Sequence, residues 1–373
     1  MKPRLVAVPI AVVFMLLAVV LGTLRLLSFH GIVSPTPLTF LQYHHGELMV
    51  FAFLAPLLLT ERYLGATNFS LNRSIHIMPF LVVAGAILKV LSWVIGVTVL
   101  NTIGSVVIAI AVVIYVYLLY SLGRQSTQPL PFRYMLLAAL VLLAGTLFNI
   151  SRSPVGDPSF TLLLLSFPIL TILGERVELS RFLSPEMYRR AEWGFWVAVT
   201  ASVVLLFRIL VVNSDYMVVA WGVLLAVAVV PVLRSELTLV RLGRKGLHLY
   251  LGRHLVVSYV WLFLGLLVLV IARESYPLYD AATHSLSIGF VFTMIMAHAP
   301  VIIPVILPRR IAEERLAYYP LTLLIIGTGM RVLGYLLGAV GVTISALAGL
   351  SGVVVLLAII AFGVMITRSL RPA

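Results

Sequence analysis

HHGELMVFAFLAPLLLTER, residues 44–62, holds thirteen residues without a charge, Leu48 to Thr60. His44, His45 and Glu47 bound them at one end, Glu61 and Arg62 at the other. Extended back to residue 38, the stretch is long enough for one membrane span, since a hydrocarbon core of about 30 Å needs roughly 20 helical residues. Ionisable groups inside such a span are costly and mark candidate functional positions. The fold and the candidate site therefore meet in this one segment.

Eleven further stretches meet the same length test: 5–27, 76–96, 98–121, 132–150, 158–178, 191–212, 216–233, 254–272, 281–307, 316–339 and 343–367. Twelve transmembrane helices over residues 1–373 make the expected fold an all-α integral membrane protein. The whole composition agrees: 62% hydrophobic and 10% charged, against about half and a quarter for a soluble domain. Zero cysteines exclude disulfides, thiolate metal sites, iron–sulfur clusters and covalent haem attachment through CxxCH. No P-loop, dinucleotide fingerprint, catalytic triad or zinc spacing appears.

The net charge of +13 is then a matter of orientation. Twenty of the 26 Lys and Arg residues fall on the side of the N-terminus, from Lys2 and Arg4 to Arg368 and Arg371. Arg25, Arg152 and Arg273 fall on the other side, and Lys89, Arg208 and Arg331 inside spans. By the positive-inside rule both termini are cytoplasmic, in the inner membrane of a prokaryote. Charged residues this sparse form no continuous basic face, so no nucleic-acid partner is expected; the partner is the lipid bilayer. Lys2 and Arg4 before an apolar run resemble a signal peptide, but with no A-x-A site the run reads as the first span. The basic stretch 235–253, SELTLVRLGRKGLHLYLGR, reads either as a helix on the lipid surface or as a solvated loop.

The polar exceptions repeat. Phe53 precedes Glu61-Arg62 by eight residues, Phe167 precedes Glu175-Arg176 by eight, and Phe290 precedes His298 by eight. Lys89-Val90-Leu91, Arg208-Ile209-Leu210 and Arg331-Val332-Leu333 mark spans 3, 7 and 11, while Arg25, Arg152 and Arg273 end spans 1, 5 and 9. All three markers recur at about 120 residues in helix order, giving three four-helix units, approximately 1–122, 123–240 and 241–373, around a pseudo-threefold axis. Lys89, Arg208 and Arg331, with Glu61 and Glu175, form the intramembrane charge. The cations either bond helix ends or neighbouring carbonyls, or serve a proton, anion or propionate.

Of eight histidines, His44, His45, His284 and His298 lie within spans. Spans 2 and 10 run in the same direction, and His45 and His284 enter within about 8 Å of the outer hydrocarbon boundary. Two imidazoles at one depth suit the axial ligands of one haem; the other reading is a pair of interfacial histidines bonding headgroups or loop carbonyls. His44 points about 100° from His45, so only one of the two can be the ligand. Gly46 and Gly289 remove bulk where a porphyrin can pack, and Arg25 and Arg273 suit its propionates. His298 lies about 21 Å deeper than His284 and reads as a second metal or proton position, or as a buried bonded histidine.

At these residues the chain resembles two families. Three times four helices with outer histidines on spans 2 and 10 is similar to the catalytic subunit of haem–copper oxidases, in which those helices hold a haem. Spans 6 and 7 have no histidine, so that resemblance implies haem b without support for copper. Closer is the NnrS-like group of twelve-span membrane proteins: His284, Gly289 and Met294 match its His-x4-Gly-x4-Met, and His44-His45-Gly46-Glu47-Leu48-Met49 is similar to its early motif. This resemblance implies nitric oxide or other diatomic gas metabolism, or membrane electron transfer with a donor protein or quinol, by a haem-dependent oxidoreductase if an enzyme. Glu47 would be a neighbouring or proton-carrying group. A cofactor-free anion or proton-coupled transporter, or an accessory subunit of a respiratory complex, is the competing expectation.

Overall fold

The structure, a computed structural model, describes residues 6–34, 39–67, 73–151, 157–180, 185–212, 214–242, 246–272, 275–306, 309–311, 318–342 and 345–372. Among the described residues twelve helices are long and apolar enough to cross a membrane. They are α1 Ala7–Phe29, α2 His45–Ala66, α3 Ile75–Ile95, α4 Thr98–Gln125, α5 Leu130–Ser151, α6 Pro158–Glu178, α7 Pro185–Leu210, α8 Asp215–Leu237, α9 Leu249–Ala272, α10 Tyr276–Ile303, α11 Tyr318–Ala339 and α12 Ala346–Ser369. Helix dominates because a backbone in hydrocarbon must satisfy its own N–H and C=O groups. One described exception is a short antiparallel pair, β1 Arg309–Ile311 with β2 Leu370–Pro372.

Two sequence expectations change at the ends of helices. The helix of α8 continues to Leu242, and that of α9 starts at Gly246, so most of 235–253 prolongs two spans instead of forming a separate surface element. The tenth span begins at Tyr276 instead of 281, which brings Asp280 inside it. Arg152 and Arg273 lie outside the described residues, as do Arg244 and Lys245.

The chain divides into two compact units, Met1–Arg25 with Pro35–Glu175, and Leu26–Ser34 with Arg176–Ala373. In the first, Ala18 and Leu21 of α1 and Leu41 pack with Leu48 and Ala52 of α2 and Ala86 and Trp93 of α3. Gly96, in the left-handed conformation at φ +74°, ends α3 and turns the chain into α4. A Cβ on Gly104 would stand 2.7 Å from the Gly85 carbonyl oxygen and 2.9 Å from Lys89 Cγ. The two glycines let α3 and α4 meet backbone to backbone, the small-residue packing that membrane helices use. In the second unit the end of α1 and the residues after it meet α10, α11 and α12: Phe29 lies 6.1 Å from the Tyr276 ring, His30 3.4 Å from the Tyr335 hydroxyl, and Ile32 fills the space beside Gly349.

Two spans leave the α-helical ladder at matching places. Leu48–Leu54 of α2 and Ser285–Phe292 of α10 are π-helical. In α2, Pro56 has no N–H to offer the preceding turn, and its ring crowds the carbonyl four residues back. In α10, hydroxyls draw carbonyls out of line: Ser285 and Ser287 donate to Ala281 and Thr283, and Thr293 donates five residues back to Ile288. Such π-turns concentrate at functional sites. His284 immediately precedes the second, and His45 stands three residues before the first.

Candidate functional site

In the first unit the two adjacent histidines have separate surroundings. The Nδ1–H of His45 donates to the Gln42 carbonyl at 3.1 Å. A carbonyl only accepts, so the neutral ring carries its lone pair on Nε2. Gly22 of α1 leaves room for this ring: a Cβ there would stand 3.1 Å from His45 Cδ2. The space a Cβ on Gly46 would enter is open to 4 Å. His44 stacks on Trp93 of α3, centroids 4.5 Å apart and planes at 11°, with Nδ1 3.2 Å from Glu47 Oε1.

Glu47 leads into a buried network. Its Oε2 accepts from Asn149 Nδ2 of α5 at 2.9 Å and lies 3.7 Å from Lys89 Nζ. Lys89 is 1% exposed and donates to Asn149 Oδ1 at 2.5 Å, Asn101 Oδ1 at 2.7 Å and Ser105 Oγ at 3.0 Å. The ammonium also lies 4.9 Å from the centre of the Phe51 ring and 5.6 Å from that of Trp93. All three ammonium protons thus have acceptors, with a carboxylate and two ring faces adding attraction, which offsets the cost of burying the charge.

The second unit repeats this chemistry with different residues. Asp280 of α10 takes Arg331 of α11 on both oxygens, Nε to Oδ2 at 2.7 Å and Nη2 to Oδ1 at 3.0 Å. This fork fixes geometry as well as charge. One turn on, His284 Nδ1–H donates to the Asp280 carbonyl at 2.8 Å, with carboxylate Oδ1 3.4 Å away. Its lone pair therefore also falls on Nε2. His30, past the end of α1, approaches the Tyr335 hydroxyl of α11 at 3.4 Å. Burial is the main cause that lowers the His30 pKa from 6.5; Arg331 lowers it further and Asp280 partly offsets both. Gly289 is occupied on its open side by Trp261 of α9, whose Cβ and Cγ lie 2.6 Å from the position of an added Cβ. That glycine serves the close approach of α9 and α10.

The remaining candidates are dispersed. Arg25 lies over the Tyr43 ring at 5.1 Å. Arg208, near the C-terminal end of α7, is 3.8 Å from the half-exposed Asp215 of α8. Glu61 and Glu175 are half-buried and within electrostatic range of the buried Tyr115, as is Arg62. His298 donates from Nδ1 to the Met294 carbonyl at 2.7 Å. In the same unit Arg176 Nε stands 3.9 Å from Glu236 Oε1, both buried. Among the described residues no group of three or more His, Cys, Asp or Glu side chains is placed to hold a metal ion. A haem iron asks the protein for only one or two axial ligands, its other four coming from the porphyrin.

Sequence reading missed Asp280, Asn101, Ser105 and Asn149. Asn101 and Asn149 stand among apolar neighbours in spans 4 and 5, and an uncharged amide there was signal enough to find them. Asp280 was lost to a boundary set one residue too late.

The chain belongs to DUF8744, a domain-of-unknown-function family whose model matches residues 4–368. Among curated proteins none matches it.

Proposed function

We propose that this DUF8744 member is a haem b-binding protein of the inner membrane of a prokaryote, with His45 and His284 as axial iron ligands. It would act in nitric oxide or other diatomic gas metabolism or in membrane electron transfer. The observation that carries the reading is the matched state of the two imidazoles. His284 immediately precedes one π-helical segment and His45 stands three residues before the other, and each has Nδ1 tied to a backbone carbonyl three or four residues back. That bond fixes tautomer and ring orientation in metal-ligating histidines generally and leaves Nε2 as the donor atom. The space beside Gly46 and the clearance at Gly22 support the same assignment for His45, whereas His44 is engaged with Trp93 and Glu47.

Haem b, when bound, would supply reversible one-electron chemistry and a site for a diatomic gas. The chain's own part is to hold the two imidazoles, exclude water with the surrounding apolar helices and neutralise nearby charge in pairs. Two strong histidine ligands favour electron transfer or sensing; gas binding requires one to leave. The NnrS-like resemblance, the oxidase-like pseudo-threefold arrangement of three four-helix units and cytoplasmic termini form part of this proposal. An electron-donor protein or quinol is the partner it implies.

Optical spectra of the purified protein, oxidised and reduced, test the reading. A Soret band lost in His45→Ala and in His284→Ala is expected; no Soret band in the wild type, even after haem supplementation, overturns it. The Lys89 network favours a second reading, a proton-coupled or anion transporter, because it places a fixed charge pair inside the first unit. Transport retained by a haem-free His284→Ala variant would favour that alternative.

A further inference from the structure

The two proposed ligands each have Nδ1 tied to main chain, and His284 has a carboxylate beside that bond. His45 donates from Nδ1 to a main-chain carbonyl at 3.1 Å. His284 donates to a main-chain carbonyl at 2.8 Å and also has the Asp280 carboxylate 3.4 Å from the same nitrogen. A carboxylate on the far nitrogen of a ligating imidazole pulls on its proton and makes the other nitrogen a stronger donor. Here that carboxylate is itself held, because Arg331 takes both of its oxygens at 2.7 and 3.0 Å. The guanidinium withdraws charge from Asp280 and fixes its angle to the ring.

We propose that Asp280 is a positioning residue for His284 and that Arg331 sets how strongly it acts, so that the pair tunes the affinity and redox potential of iron bound at His284. This rests on the haem reading. The pair has the connectivity such a device requires. Arg331 is 8% exposed, so solvent screens little of its effect on Asp280. The second atom tying His284 is the Asp280 carbonyl, so residue 280 holds the ring through main chain and side chain at once. Replacing the carboxylate leaves the main-chain bond in place. Electronic and structural roles thereby separate.

The test uses the full-length protein in detergent or nanodiscs, comparing wild type, Asp280→Asn and Arg331→Lys by haem titration and by redox titration of the Soret and α bands. Asp280→Asn is expected to lose about 10- to 100-fold in haem affinity, with the potential moving positive because a negative charge beside the ligand has gone. Arg331→Lys, which keeps the charge and loses the fork, is expected to move the potential negative as Asp280 is freed to act on His284. Asp215→Asn removes the same charge from the Arg208 pair and serves as control, with no change expected. A bound haem with affinity and potential unmoved in both site variants, or moved in one direction by both, overturns the proposal alone. A wild type with no Soret band overturns the haem reading and this proposal together. Should Asp280→Asn fail to fold, the sign of the Arg331→Lys shift still decides.

Discussion

Glu47 with Lys89 in one unit and Asp280 with Arg331 in the other solve one problem in two ways. A lysine ammonium is a compact charge with three donors that take separate acceptors, and Lys89 meets three side-chain oxygens on α4 and α5 before it reaches its carboxylate at 3.7 Å. An arginine guanidinium is a planar fork, and Arg331 meets one carboxylate with two of its donors. The first cation belongs to a distributed cage and the second to a single bond pair. The cage should survive loss of one partner, whereas the fork should not.

The largest expected effect follows directly. Asp280→Ala leaves a buried guanidinium without its carboxylate and should destabilise the protein by about 3–5 kcal/mol, read as apparent unfolding free energy in detergent. Glu47→Ala leaves Lys89 bonded to Asn101, Ser105 and Asn149, and should cost about 1–3 kcal/mol. A Glu47→Ala cost equal to or above that of Asp280→Ala would break the contrast between cage and fork.

Gly104→Ala sharpens the account of the cage. The added Cβ meets the Gly85 carbonyl at 2.7 Å and the Lys89 main-chain nitrogen at 3.0 Å, so α3 and α4 must separate. Overpacking of this kind costs about 1–3 kcal/mol. Gly46→Ala, whose Cβ meets nothing within 4 Å, is the control and should leave stability unchanged within about 0.5 kcal/mol. Equal losses for the two variants would deny the close approach its role.

The sequence signals of these sites follow the same division. Span count and the placement of Lys89, Arg208 and Arg331 were legible because a charge among apolar residues stands out against the 30 Å requirement. Of the carboxylates they meet, Glu47 stood out inside its span, though as a neighbour of the histidines and not of Lys89, while Asp280 and Asp215 sit near helix ends that hydropathy cannot fix to one turn. Asn101, Ser105 and Asn149 carry no charge, and their convergence on Lys89 depends on how α3, α4 and α5 face one another. The π-helical segments were illegible for a different reason. A π-turn changes the ladder by one residue per turn without changing the apolar pattern, and Pro56 alone did not announce the shift.

The smallest effect concerns His30, which lies beyond the end of α1 beside Tyr335. Partial burial and the Arg331 charge hold its pKa below the 6.5 of an unfolded chain, with Asp280 pulling the other way. Above that value the ring is neutral in both states and contributes nothing to the pH dependence. As pH falls below 6.5 the unfolded chain takes up the proton first, so the folded state loses stability until pH passes the lowered folded value. Stability should therefore fall on acidification through this window, and His30→Gln should flatten that part of the profile. Thermal unfolding between pH 7.5 and pH 5, wild type against variant, reads the difference. The comparison of the two cations enters here too. In a His30 background, Arg331→Lys keeps one positive charge but moves it, whereas Asp280→Asn removes the only contribution that raises the His30 pKa. Asp280→Asn should thus steepen the acid loss where His30→Gln flattens it, and an identical profile in both would detach His30 from the Asp280–Arg331 pair.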